Sequence, residues 1–194
     1  LGMREADAKP SLLSEAKTQA TALFGFVALL WLVEIIDWVI FGGRLDRYGI
    51  RPRQLAGLWG ILFAPFLHGN FEHLTANTLP LLVLGWLVML RETGDWLVVT
   101  VLSALVGGLG TWLIGAANTS HIGASGILFG YFGFLLMRGY FERSLVAIAF
   151  SILVISLYGG IVWGVLPGQP GISWEGHLFG FIGGALAARL LARQ

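Results

Sequence analysis

Residues 96–137 read WLVVTVLSALVGGLGTWLIGAANTSHIGASGILFGYFGFLLM, 42 positions without an Asp, Glu, Lys or Arg. A helix needs about 20 apolar residues to cross a bilayer. The run is long enough for two, and Asn118-Thr119-Ser120-His121 divides it near the middle. In lipid the backbone must satisfy its own hydrogen bonds, which selects helices over irregular structure. The stretch therefore predicts two membrane helices, at about 96–114 and 124–137. Ser125 stands at the mouth of the second, in Gly123-Ala124-Ser125-Gly126.

The composition of the whole chain points the same way. Its 194 residues are 56% hydrophobic and 12% charged, with a mean hydropathy of +0.79. A soluble domain carries roughly a quarter charged residues. Half that share leaves too little polar surface for a water-soluble globule, so the chain reads as a one-domain integral membrane protein. A net charge of +1 gives no reason to invoke nucleic acid. With no cysteine, disulfides, thiolate metal sites and a cysteine nucleophile are all excluded.

Working outward, four more spans are expected at about 22–41, 73–90, 144–163 and 173–191. The first is too long for a signal-peptide core and lacks a small-residue cleavage site, so it reads as a retained anchor. The predicted fold is all-α: a polar N-terminal segment, 1–20, followed by a six-helix membrane domain, 21–194. Six spans put both termini on one side. Eight of the twelve basic residues (Arg4, Lys9, Lys17, Arg91, Arg138, Arg143, Arg189 and Arg193) then share that side. Arg44, Arg47, Arg51 and Arg53 lie opposite, in the first loop. The bias favours cytoplasmic termini in a plasma (inner) membrane. The loop, 42–72, is charged in its first half and apolar in its second, with Trp59, Phe63 and Phe66. An apolar loop must bury itself, so it is expected to lie part-inserted at the interface with helical turns of its own.

Glycine is about twice as frequent as usual, with 28 residues. Gly126, Gly130 and Gly133 share one face of the span at 124–137. His177, Gly180 and Gly184 share one face of the last span. Small residues in such rows let membrane helices meet backbone to backbone. Packing these two faces would bring the Ser125 hydroxyl and the His177 imidazole, 52 residues apart, within hydrogen-bonding reach. Polar groups at that depth are costly and usually functional.

His68, Asn70, His73 and Asn77 cluster where the first loop becomes the second span. His73 and Asn77, at i and i+4, share a face. Alone they could simply tie helices together. Beside a reactive serine they supply donors for the oxygen on which negative charge develops in acyl transfer. Metal binding is the rival use. His68 and His73 are five residues apart, about 140° around a helix, and miss the inverted zinc pattern His-x-x-Glu-His by one residue. No metal and no cofactor is expected. Glu34 and Asp37 lie near the outer end of the first span, where snorkelling or pairing with loop arginines is the simplest expectation.

The motifs His68-Gly-Asn-Phe-Glu-His73-Leu-Thr-Ala-Asn77, Gly123-Ala-Ser125-Gly126 and His177-x-x-Gly180-x-x-x-Gly184 occur in that order. With them the chain resembles the rhomboid family of intramembrane serine proteases. The resemblance implies that Ser125 is the nucleophile and His177 its general base. It implies that His73, Asn77 and the Ser125 N–H form the oxyanion hole, and that His68 supports the site near a water route. The family often carries Trp-Arg in the first loop, where this chain has Trp59-Gly60. Some members stack a tyrosine on the base at the position of Phe129, whose phenyl ring can do the same. The expected partners are single-span or polytopic membrane proteins, cleaved in the bilayer by a Ser-His dyad. The fifth span and its following loop, 159–171, are expected to move as substrate arrives. The alternative is a non-catalytic relative that binds or escorts membrane helices. A transporter would more naturally show repeated halves with charges at mid-membrane.

Overall fold

A computed structural model of the chain describes residues 11–192. Arg4, Lys9 and Arg193 of the orientation reading lie outside them, as does most of the segment before Leu12. Among the described residues the fold is all helical. Helix α1, Leu12–Ile36, continues through a wide π turn, Asp37–Phe41, and stops at Gly42 in the left-handed conformation. The short α2, Gly60–Phe63, lies in the first loop. Then follow α3 (Phe71–Met89), α4 (Asp95–Ile114), α5 (Ser125–Glu142), α6 (Leu145–Tyr158) and α7 (Trp174–Leu191). Side-chain oxygens of Ser11, Asn70, Ser144 and Ser173 accept backbone N–H groups at the starts of α1, α3, α6 and α7. Each relieves one of the unpaired donors that every helix start leaves.

Three helical stretches are long and apolar enough to cross a membrane: Leu12–Phe41, Asp95–Ile114 and Leu145–Val165. With them the protein is an integral membrane protein. Helices α3, α5 and α7 fall short of that measure because they carry the polar groups: His73 and Asn77, Arg138 and Glu142, Glu175 and His177. These three helices are also well covered by protein. Residues 127–135 of α5 are buried without a break, and α7 is wedged between α4 and α5. The core gathers Leu30, Leu74, Leu84, Val99, Tyr131 and Phe134. Large apolar side chains of α1, α4 and α6 face outward, as lipid requires.

Several boundaries differ from the sequence expectation. Helix α1 begins at Leu12 rather than near 22. The polar stretch 12–20 is unsuited to lipid but suited to a helix, and Ser11 caps it with Glu15 in the first turn. Helix α5 runs to Glu142, beyond 137, because Glu142 pairs with Arg138 one turn back and with Arg91 after α3. Arg143, at φ 52°, then ends it. Helix α6 tightens into a 3-10 stretch, Gly159–Val165. Glu34 and Asp37 are both buried, and neither meets a loop arginine. Asp37 instead accepts the Leu45 N–H at 3.0 Å. Arg44 and Arg53 bind backbone carbonyls, Arg53 those of Leu113 and Gly115 at the C-terminal end of α4. A cation is favourable there.

The first loop is built of short turns: 3-10 at Leu45–Tyr48 and Leu55–Leu58, then α2, then 3-10 at Ala64–Phe66. Gly57, Gly60, Ile61, Ala64 and Pro65 are buried, whereas Leu55, Trp59, Leu62 and Phe63 are exposed. The inward side supports the turn before α5. Ile50 and His121 exchange both backbone hydrogen bonds at 2.9 Å, Ala64 C=O accepts the Gly123 N–H at 2.8 Å, and Asp46 C=O accepts the Ser120 hydroxyl at 2.8 Å.

Within this loop Asp46 has its pKa raised to about 6, by burial first and by the Asp37 carboxylate second. A carboxyl whose pKa is raised on folding adds stability that is full below its unfolded pKa and is lost as pH rises through the folded one. Asp46→Asn should therefore melt higher than the parent protein in detergent at about pH 8, with the gap closing below about pH 5. Thermal melts across that range would contradict this if the variant is no more stable at the alkaline end.

Candidate active site

Ser125 is the first residue of α5, and His177 lies in the first turn of α7. Their Oγ and Nε2 atoms are 2.8 Å apart. His177 Nδ1 lies 2.9 Å from the Gly164 carbonyl. A carbonyl can only accept, so Nδ1 carries the ring proton. Nε2 is left with a lone pair facing the serine hydroxyl. Phe129, one turn into α5, stacks on the imidazole with ring centres 4.0 Å apart and planes 9° from parallel. The ring of His177 is thus held at its edge and on one face.

The glycine rows make this approach sterically feasible. A Cβ on Gly180 would overlap the Gly126 carbonyl oxygen, and one on Gly184 the carbonyl of Gly130. Gly126 itself faces the Gly176 carbonyl, and Gly133 faces that of Phe181. Any larger residue at the tightest of these positions drives α5 and α7 apart and carries the hydroxyl away from the imidazole.

Before the serine the chain makes a turn with Gly123 at φ +110°, a conformation L side chains rarely adopt. A Cβ there would also meet the His73 ring, 2.7 Å from Cε1. His73 therefore lies against the serine turn. The Ser125 N–H, first of its helix, has no acceptor among the described residues. Asn77 is buried on the same face of α3, and its Nδ2 donates to the His73 carbonyl at 3.0 Å. His68 is 1% exposed, and its Nε2 accepts the Ala124 N–H at 3.4 Å. Its ring meets that of His73 edge-on, with centres 5.2 Å apart. Burial, then the neighbouring His73, lowers the His68 pKa to about 4, against a weaker opposing effect of the Phe66 backbone. His68 is thus neutral at ordinary pH, as an acceptor of the Ala124 N–H must be.

The structure brings together Ser125, His177, His73, His68, Phe129 and the glycines named from the sequence. It adds groups that sequence reading missed. The Gly164 carbonyl is a main-chain atom in a loop and has no residue signature. Ser103 of α4 is buried with its hydroxyl unpartnered, and with Thr111, His121, Ser125 and Ser173 it lines a cavity of about 40 Å³. That is room for water. The departure at Trp59-Gly60 also has a cause. A Cβ on Gly60 would overlap the Gly49 backbone, so no arginine fits there without the loop shifting. Among the described residues, no group of three or more His, Asp or Glu side chains is arranged to hold a metal ion.

The family model of the Rhomboid domain matches residues 55–194, and the chain belongs to the rhomboid family. It is 49% identical over 180 residues to an uncharacterized protein of Mycobacterium tuberculosis, covering 89% of this chain and 75% of that one. An uncharacterized Mycobacterium leprae protein is 47% identical over 175 residues, 86% of this chain and 69% of its own. A Bacillus subtilis relative named "Putative rhomboid protease YdcA" is 30% identical over 181 residues, 90% of this chain and 88% of its own.

Replacing Gly184 by alanine tests the backbone contact. Overpacking of this kind costs about 1–3 kcal/mol. Gly184→Ala should lower the melting temperature in detergent and slow modification of Ser125 by an active-site phosphonate. Unchanged values for both would mean that α5 and α7 tolerate a wider spacing.

Proposed function

We propose that this protein is an intramembrane serine endopeptidase that cleaves membrane-protein substrates through a Ser125–His177 dyad. The observation that carries the reading is the 2.8 Å contact between Ser125 Oγ and a His177 Nε2 whose other nitrogen is tied to the Gly164 carbonyl. His177 accepts the serine proton as Oγ attacks a peptide carbonyl of the substrate. The oxyanion that forms is held by the Ser125 N–H, with His73 and Asn77 as side-chain donors. Asn77 keeps one amide proton for this after its bond to the His73 carbonyl. His177 then protonates the leaving amine, and the C–N bond breaks to leave an acyl-Ser125. Water from the cavity beside Ser125 gives a proton to His177 as it attacks the acyl carbon. His177 then returns that proton to Oγ as the C–Oγ bond breaks, releasing the new carboxyl end and restoring the serine. In this scheme the Gly164 carbonyl orients the imidazole, the part an acidic residue takes in a triad.

The substrate helix must unwind locally, because helical carbonyls are shielded and hydrogen-bonded, so helix-breaking or small residues are expected near the cut. The membrane arrangement we infer is six spans, α1 and α3 to α7. The exposed side of Leu55–Phe66 rests in the interface of a plasma (inner) membrane, and the termini are cytoplasmic. No cofactor enters the scheme. A protein that merely binds or escorts helices has no use for an aligned hydroxyl, a tautomer-fixed imidazole and a free helix-start N–H.

A fluorophosphonate probe in detergent tests the assignment. The parent protein should become labelled, Ser125→Ala should not, and His177→Ala should react at least about a hundredfold more slowly. Labelling that survives in Ser125→Ala places the nucleophile elsewhere. A chelator should leave cleavage of a tagged single-span substrate unchanged; inhibition that zinc reverses would sink the metal-free scheme.

A further inference from the structure

Four residues before Ser125 and four before His177, a second imidazole and a second hydroxyl meet across the same two segments. His121 Nδ1 lies 2.7 Å from Ser173 Oγ. Here the sides are exchanged, with the imidazole on the serine side and the hydroxyl on the histidine side. Apart from the Ser125–His177 contact, this is the one hydrogen bond among the described residues that joins the turn before α5 to the start of α7.

Every proton in this second rung can be assigned. Thr119 Oγ1 donates its single proton to the Ala116 carbonyl at 2.6 Å. Toward His121 Nε2, at 2.7 Å, it can then only accept, so Nε2 carries the ring proton. Burial lowers the pKa of His121, with the Glu175 carboxylate opposing, and the ring is neutral with a lone pair on Nδ1. The Ser173 hydroxyl donates to that lone pair. Ser173 Oγ in turn accepts the Gly176 N–H at 3.3 Å, and the Ser173 carbonyl accepts the His177 N–H at 3.1 Å. His121 itself is pinned, since its N–H and C=O are both bonded to Ile50. A directional chain therefore runs from the backbone of α7's first turn, through Ser173 and His121, to a rigid loop.

We propose that His121 is a positioning residue for the Ser125–His177 pair, acting through Ser173 to fix the first turn of α7 against the serine turn. This rests on the reading of that pair as base and nucleophile. The glycine rows set how near α5 and α7 lie deeper in the bundle. Helix ends fray, and His177 sits in such an end; Gly164 and Phe129 hold its ring, and the bond from Ser173 to His121 ties the backbone of that end to the serine turn. The functional cost of losing it is large because a displacement of about 1 Å at reacting groups slows chemistry by about a hundredfold.

The test is the rate constant for fluorophosphonate modification of Ser125 in detergent, measured with thermal melts for His121→Ala, Ser173→Ala, the double variant and His121→Asn. Each alanine variant should lose about ten- to a hundredfold in rate. The double variant should lose no more than the worse single, since both remove one link. Asparagine at 121 can accept the Ser173 proton through Oδ1, where Nδ1 stood, and should recover most of the rate. Rates within about twofold of the parent, losses that multiply in the double variant, or no recovery with asparagine would each overturn the proposal. So would a fall in melting temperature with no change in rate. Should His121→Ala fail to fold, Ser173→Ala and His121→Asn decide the matter alone. Labelling that persists in Ser125→Ala would instead overturn the nucleophile assignment, which is a separate result.

Discussion

Two helices touching backbone to backbone set everything else in this protein. In lipid no hydrophobic force favours one helix contact over another, because the hydrocarbon tails are as apolar as leucine. Association then depends on close van der Waals fit. Helices α5 and α7 obtain it by carrying no side chain where Gly126 meets Gly180 and Gly130 meets Gly184. At the N-terminal end of that seam the first turns of both helices are so near that a hydroxyl on one reaches an imidazole on the other. The same closeness explains why α7 can be flanked by α4 as well, with Gly107 and Gly183 at that second contact.

A second constraint is that buried polar atoms need partners, and buried charges cost more than buried dipoles. The site meets the second demand by using neutral groups. Three imidazoles have their tautomers set by oxygens or N–H groups of the chain: His177 by the Gly164 carbonyl, His121 by Thr119, and His68 by the Ala124 N–H. A main-chain carbonyl orients the His177 ring without the desolvation penalty that a carboxylate would carry. The first loop does related work. Its inward edge takes up the backbone N–H groups of His121, Gly123 and Ala124, while the Ser125 N–H has no acceptor among the described residues.

Much of this was legible in the residues. An uncharged run of two span lengths announced membrane helices, and the periodic spacing of Gly126 with Gly130, and of His177 with Gly180 and Gly184, announced the two faces that meet. Ser125, His177, His73, His68 and Phe129 all stand together as their positions suggested. Helix ends were less legible. The charge-based limit of a span is not the limit of a helix, so α1 extends through polar residues from Leu12, and α5 continues to Glu142 on its ion pairs. Snorkelling or pairing with loop arginines was a reasonable expectation for Glu34 and Asp37; in the fold both are buried, and Asp37 accepts the Leu45 N–H instead.

Local chemistry along the chain determined the helical class, the membrane setting, the two glycine faces and the residue types able to carry acyl transfer, because periodicity, charge and side-chain size act over a few residues. Which carbonyl meets His177, which hydroxyl meets His121, and why residue 60 admits no side chain were decided only in three dimensions. Those contacts join atoms of segments between 11 and 52 residues apart, several of them main-chain atoms that every residue type shares. No side-chain pattern along the sequence marks them.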